Sequence, residues 1–293
     1  MQQAASDSHF QPIPGTSILC IEGADAIDFA QSQFANDVRA LRVNTWQWNA
    51  WLSAKGRVRA LFMLLRSGDQ ELRLVSADAP AEALADELKR MVFRRKLSLS
   101  VDLSHCFQGR VHDHAVASSS AHPFVQEGEQ LWRGHMDDAS GREWRIAPHS
   151  NAIPSTDEFS RTWRIADLRC GVVHLPPQGS DLTAHQLGLH RLPALSLSKG
   201  CYPGQEIVAR THYLGKSHRQ LTRVGASSPL RDGARLLVDG REMAALLNAI
   251  QINSDRWEAL AALPDIGTDS ESTSALTTED GAAVQRLPFI TPD

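Results

Sequence analysis

From Trp46 to Leu65 the chain is rich in tryptophan and aliphatic residues on either side of a small, polar stretch at Ala54-Lys55-Gly56. A run of this kind, broken near its middle by small and polar residues, predicts two extended strands joined by a turn. A third strand is predicted at Glu71–Ser76 (ELRLVS), then a helix over 80–93 that opens after Asp78 with Pro80 in its first turn. Residues 96–103 (KLSLSVDL) alternate apolar and polar and read as a further strand. Upstream, Ser17–Glu22 (SILCIE) reads as a strand in which Cys20 is a small buried hydrophobe. A turn at 23–25 leads from it into a helix, ADAIDFAQSQF, whose Ile27, Ala30, Phe34 and Val38 recur at helical spacing. This order restricts the first half to an α+β layer, with helices on one face of an antiparallel sheet.

The second half is less regular. Residues 117–122 form a polar loop, and 132–147 hold two short strands around Asp137-Asp138-Ala139-Ser140-Gly141. Ser155-Thr156-Asp157-Glu158 supplies a capping hydroxyl and first-turn carboxylates for a helix that runs to about Cys170 and stops at Gly171. A stretch rich in Pro, Gly and His, 174–198, has no periodicity, and segments this long inside a compact domain often line a site. A short helix, QEIVARTHY, follows and ends at Gly215. From Leu221 onward, short apolar runs separated by Asp-Gly pairs predict a small all-β module, with 268–280 a polar, mobile insertion.

With 293 residues the chain is long enough for two or three domains, and its net charge of −4 gives little support to indiscriminate phosphate binding. The cluster Arg90, Arg94, Arg95 and Lys96 is read as a solvated helix end. No stretch approaches the roughly 20 apolar residues of a membrane span. The start carries neither a signal core nor an Arg-rich presequence, so a cytoplasmic location is expected. Cys20, Cys106, Cys170 and Cys201 form no C-x-x-C pair, which argues against a zinc ribbon or a disulfide scaffold. His112 and His114 flank Asp113 in a predicted strand, and His185 and His190 are five apart, wrong for one helix face; no metal site is expected. Nucleotide-binding and serine-hydrolase motifs are absent. The tryptophans Trp46, Trp48, Trp51 and Trp163 are read as core, although a planar heterocycle could stack on one of them.

The segment with most chemistry is Lys199-Gly200-Cys201-Tyr202-Pro203-Gly204-Gln205-Glu206. Pro203 and Gly204 predict a type II turn that delivers the chain into a helix near Gln205. Cys201 then lies just ahead of a helix N-terminus with Lys199 two residues away, a setting that favours thiolate over thiol. A turn that merely accommodates a small side chain is the alternative. Glu206 and Arg210 lie one turn apart and are expected to pair.

The stretch KGCYPGQEIVARTHYLGKSHRQL closely resembles the signature of the YgfZ family of folate-binding proteins, relatives of the T-protein (aminomethyltransferase) of the glycine cleavage system. IEGADAIDFAQSQFANDV, with Asp37, and NAWLSAKGRV, around Lys55-Gly56, resemble two further blocks of that family, so the likeness runs from about residue 17 to 221. It implies an α+β, three-domain ring around a channel that binds tetrahydrofolate. The domains would be a discontinuous first one (1–45 and 150–220), a ferredoxin-like middle one (46–149) and a C-terminal β-barrel (221–293). It implies support of iron–sulfur cluster assembly or repair, including for cluster-dependent tRNA-modifying enzymes, with iron–sulfur client or assembly proteins as partners; a monomer that binds no nucleic acid or membrane directly is expected. Cys201 would be the functional thiol. Trp163, Asp37, Lys199, Tyr202, Gln205, Glu206 and Arg210 would serve the folate site. Two positions depart from the pattern. Arg59 stands where the aminomethyltransferases carry a catalytic aspartate, which argues against that transferase activity, because a guanidinium cannot accept a proton. Arg169 stands where many relatives carry a glutamate suited to a pterin; Asp167 is a nearby carboxylate that could replace it. A transferase and a scaffold that has lost folate binding are the rival readings.

Overall fold

The computed structural model describes residues 10–112, 122–128, 130–136, 141–214, 219–264 and 275–290. In chain order the elements begin with β1 (Gln11–Pro12), β2 (Ser17–Glu22), α1 (Ala26–Gln33), β3 (Thr45–Leu52), β4 (Val58–Gly68), β5 (Glu71–Ser76), α2 (Ala81–Lys89) and β6 (Ser98–Val101). Next come β7 (His105–Val111), β8 (Phe124–Glu127), β9 (Leu131–His135), β10 (Arg142–Pro148), α3 (Asp157–Cys170) and α4 (Gln205–Leu214). Last are β11 (Arg219–Ala226), β12 (Arg235–Val238), β13 (Arg241–Asn253), β14 (Arg256–Pro264), β15 (Leu276–Thr278) and β16 (Ala283–Leu287). Among the described residues these strands form two five-stranded sheets, ordered β3-β4-β5-β2-β6 and β1-β7-β10-β9-β8, and a closed barrel, β11-β14-β13-β12-β15-β16. The α+β class with a terminal barrel is therefore the observed architecture.

The first sheet is covered on both faces, which explains why β2 and β4 read as nearly continuous apolar runs. Leu19, Ile21, Phe62, Leu64 and Leu74 pack with α1 and α2. Their neighbours Ile18, Met63, Leu65 and Val75 point the other way, onto Phe107, Trp144, Ile146 and Trp163 of the second sheet and α3. A third cluster joins Leu52, Val58 and Leu61 to Leu187, Tyr202 and Val208, and reaches Leu221 and Leu260 on the outside of the barrel. It makes the irregular stretch 174–198 the mortar between the hairpin, α4 and the barrel.

Several expectations change. The boundary expected between residues 45 and 46 falls inside the first sheet: β2 pairs with β5 along Ser17↔Ser76 to Glu22↔Glu71, so residues from both sides of it share backbone hydrogen bonds. Helix α1 stops at Gln33 because Phe34 turns extended, and the Gln31 side chain captures the following loop by accepting from Val38 N at 2.7 Å. Helix α2 is shorter than expected, with Pro80 as its N-cap and its end at Lys89, and β6 covers only 98–101 of the expected strand. Thr156 caps α3 by accepting from Phe159 N, and Gly171 closes the helix in the left-handed conformation, as expected. Within the expected insertion 268–280, Leu276–Thr278 is instead a barrel strand, because β12 and β16 supply its backbone partners and Leu276 is buried. The expectations for His114, the loop 117–121, Gly215 and residues 268–274 lie outside the described residues.

Candidate functional site

The turn predicted around Pro203 forms as read. Gln205 N donates to Tyr202 O at 3.2 Å, and Gly204 takes φ +81° at the third turn position. The two motif blocks meet here. A Cβ on Gly204 would lie 2.6 Å from Ser53 O and 2.9 Å from Gly56 Cα, and one on Gly56, at φ +70°, would lie 2.8 Å from Ile207 Cβ. Glycine at both positions lets the β3–β4 turn seat directly against the start of α4.

Around this contact the motif's side chains serve the chain itself. Lys199 is buried and donates from Nζ to Phe34 O at 2.6 Å and Asn36 O at 2.9 Å, closing the C-terminal end of α1. Burial pushes its ammonium down to about 8 against the opposing pull of Asp37. The Tyr202 hydroxyl donates to Ser196 O at 3.2 Å, and burial raises it to about 12. Gln205 Nε2 donates to Lys199 O at 3.1 Å. Asp37 accepts from Gln31 Nε2 at 3.0 Å and from Arg39 N at 3.1 Å, shaping the loop after α1. Lys199 is thus a clasp on α1, with its ammonium committed to two carbonyls and not held for the thiol. Glu206 and Arg210 are exposed and form no ion pair with each other, which corrects the expected bridge.

Cys201 is the exception. It is exposed, and its sulfur makes no hydrogen bond among the described residues. It lines an open depression of about 440 Å³ with Asp28, Gln31, Ser32, Arg39 and Arg95, where Arg39 and Asp28 form an ion pair at 2.9 Å.

Trp163 belongs to a different place, a cleft between the two sheets shared with Trp48, Met63, Phe107, Asp78 and His174. The cleft and the thiol depression have no lining residue in common; of the expected folate set Trp163 alone lines the cleft, and none of the set lines the depression. One face of Trp163 carries the Arg142 guanidinium at 4.6 Å, and its ring edge rests where Gly109 has no side chain. Below it runs a buried relay of charge. Arg142 Nη1 donates to Asp167 Oδ1 at 2.5 Å, His174 Nε2 lies 3.0 Å from Asp167 Oδ2, and His174 Nδ1 lies 2.8 Å from Asp78 Oδ1. Burial opposes protonation of His174, but the hydrogen bonds to Asp167 and Asp78 outweigh it and raise the imidazole to about 9. Burial likewise opposes ionisation of Asp167, yet Arg142 and His174 hold its carboxyl below the ordinary range. The stable arrangement is an imidazolium donating to two carboxylates.

Neither departing arginine enters this cleft. Arg59 pairs with Glu87 on α2 and stacks over Trp51 at 4.4 Å. Arg169 reaches Glu258 on β14 at 3.5 Å and ties α3 to the barrel. Asp167, which the sequence marks as a nearby carboxylate, does line the cleft. His174, Asp78 and Arg142 carry no local signal: they read as the start of a loop, the residue ahead of a helix and the end of a turn. The irregular stretch beginning at His174 was the one hint.

A scan against protein-family models finds no match. An uncharacterized protein of Haemophilus influenzae is 24% identical over 274 residues, which cover 90% of this chain and 92% of that protein. The tRNA-modifying protein YgfZ of Yersinia pseudotuberculosis is 23% identical over 301 residues, covering 93% of this chain and 90% of the relative. In three dimensions the chain is similar to the glycine cleavage system aminomethyltransferase T from Bartonella henselae. The TM-score is 0.73 at 14% identity, over 96% of this chain and 86% of that structure.

Proposed function

We propose that this chain, a YgfZ family member on the aminomethyltransferase fold, is a cytoplasmic, monomeric, tetrahydrofolate-binding accessory factor for iron–sulfur proteins, including cluster-dependent tRNA-modifying enzymes. The observation that carries the reading is the contrast at the motif: Lys199, Tyr202, Gly204 and Gln205 are all engaged in holding the segment, while Cys201 projects free into the depression. A fold that immobilises a backbone this tightly around an exposed thiol presents that thiol to something outside itself. The client protein, with its cluster as cargo, is the partner this favours.

The aromatic cleft suits a pterin chemically. Trp48, Trp163 and Phe107 supply ring faces, and the carboxylates of Asp78 and Asp167 retain lone pairs for an amino group and a ring N–H. Bound there, tetrahydrofolate would supply a one-carbon carrier. The enclosed space is about 40 Å³, so the ring enters by parting the side chains around it, and tryptophan fluorescence reports that movement.

An aminomethyltransferase is the second reading, and the engagement of Arg59 with Glu87 and Trp51 counts against it. Calorimetric titration of the chain with tetrahydrofolate tests the ligand: saturable heat with a tryptophan fluorescence change is expected, and no heat at sub-millimolar ligand leaves a scaffold without folate. Complementation of a deletion strain tests the thiol. Cys201→Ser is expected to fail, and full rescue of cluster-enzyme activity would remove the thiol from the function.

A further inference from the structure

Apart from the thiol depression and the aromatic cleft, one buried group of charges does not balance. Where the last turn of α3 meets the outer wall of the barrel, Arg169, Arg223 and Arg256 surround a single carboxylate, Glu258. Glu258 is fully buried and accepts from Arg256 Nε at 3.1 Å and from Arg169 Nε at 3.5 Å. Arg223 Nη1 stands 3.9 Å away, too far for a hydrogen bond. The strand alternation fixes this arrangement: Val224 and Ala259 fill the barrel core, so their neighbours Arg223 and Glu258 face outward onto α3.

Arg223 is only 7% exposed, yet its Nε and Nη1 find no hydrogen-bond partner among the described residues. A buried guanidinium left in this state costs free energy unless an acceptor completes it. Burial disfavours its charge first; Glu258, and to a smaller extent Cys170, favours it, while Arg169 and Arg256 add repulsion. Arg169 and Arg256 are 34% and 44% exposed in their side chains, so the group opens to solvent at one end.

We infer that this junction is an anion site for a doubly charged oxyanion group, a phosphate or a dicarboxylate, seated between Arg223 inside and Arg169 and Arg256 at the mouth. Three guanidinium groups facing one carboxylate leave two positive charges, which such a group neutralises, and the planar forks of arginine match its oxygens in pairs. This site stands independently of the folate and thiol readings.

The test is calorimetric titration of the full chain in low-salt buffer, one arm with inorganic phosphate and one with succinate, followed by thermal melts at rising ligand. Saturable binding in either arm, with a melting temperature that climbs with ligand, is expected, and the stronger arm tells which oxyanion chemistry the site prefers. Arg256→Gln and Arg169→Gln each remove a solvent-facing donor and are expected to weaken binding by about tenfold or more. Both variants leave the buried Arg223 in place, so they test the site even if Arg223→Gln does not fold. No saturable heat in either arm, or affinity unchanged in both variants, overturns the site.

Discussion

Replacing His174 with glutamine should remove a pH dependence as well as stability. In the folded chain the imidazole holds its proton to about pH 9, whereas an ordinary histidine releases it near 6.5. Between those limits the folded state binds more protons than the unfolded one, so the His174 contribution is complete below about pH 6.5 and drains away as pH rises through 9. At about 1.36 kcal/mol per pH unit, the interval corresponds to roughly 3 kcal/mol. Lys199 works in the opposite direction. Pushed down to about 8 from 10.5, it binds fewer protons when folded, so its contribution improves as pH rises between those values. The wild-type curve alone therefore mixes two opposed slopes, and the informative quantity is wild type minus His174→Gln, in which Lys199 cancels. Urea unfolding followed by tryptophan fluorescence at several pH values gives that difference. It should be largest near pH 6 and shrink by roughly 3 kcal/mol toward pH 10. A difference that stays constant, or grows with pH, would show that His174 is not the proton held between Asp78 and Asp167.

Arg142→Met leaves Asp167 buried with one partner fewer and should cost about 3–5 kcal/mol, read as a lowered urea midpoint; a loss below about 1 kcal/mol would mean the ion pair contributes little. Gly56→Ala forces a Cβ to within 2.8 Å of Ile207 in a positive-φ turn, and should lower the melting temperature by the equivalent of about 1–3 kcal/mol. An unchanged melting temperature would show that the turn can draw back from α4. Cys201→Ala should leave stability within about 0.5 kcal/mol, since the side chain is exposed. In native protein a thiol reagent should label Cys201 ahead of Cys20, whose buried thiol is pushed up to about 11; the reverse order would contradict the exposure of the motif cysteine.

The elements themselves were largely readable. Strand β2, the β3–β4 hairpin, β5, α3 with both caps and the Pro203-Gly204 turn are fixed by short-range chemistry: side-chain period, turn residues, capping hydroxyls. The main departure arose where distant partners took over: β12 and β16 drew Leu276–Thr278 into the barrel. Lys199 went to the carbonyls of Phe34 and Asn36 just past α1, a contact that spans more than 160 positions of sequence and that no local pattern announces.

By itself the sequence determined that Cys201 would stand at a tight turn ahead of a helix, because Pro and Gly set backbone angles without help from the rest of the molecule. The tertiary structure alone decided that the residues around it would be buried and bonded while the thiol stayed free. It also decided that Trp163 would sit in a separate cleft over His174, Asp78 and Asp167, and that Arg169 would face Arg223, Arg256 and Glu258. Burial and charge balance depend on what packs against a residue, and those neighbours come from other parts of the chain.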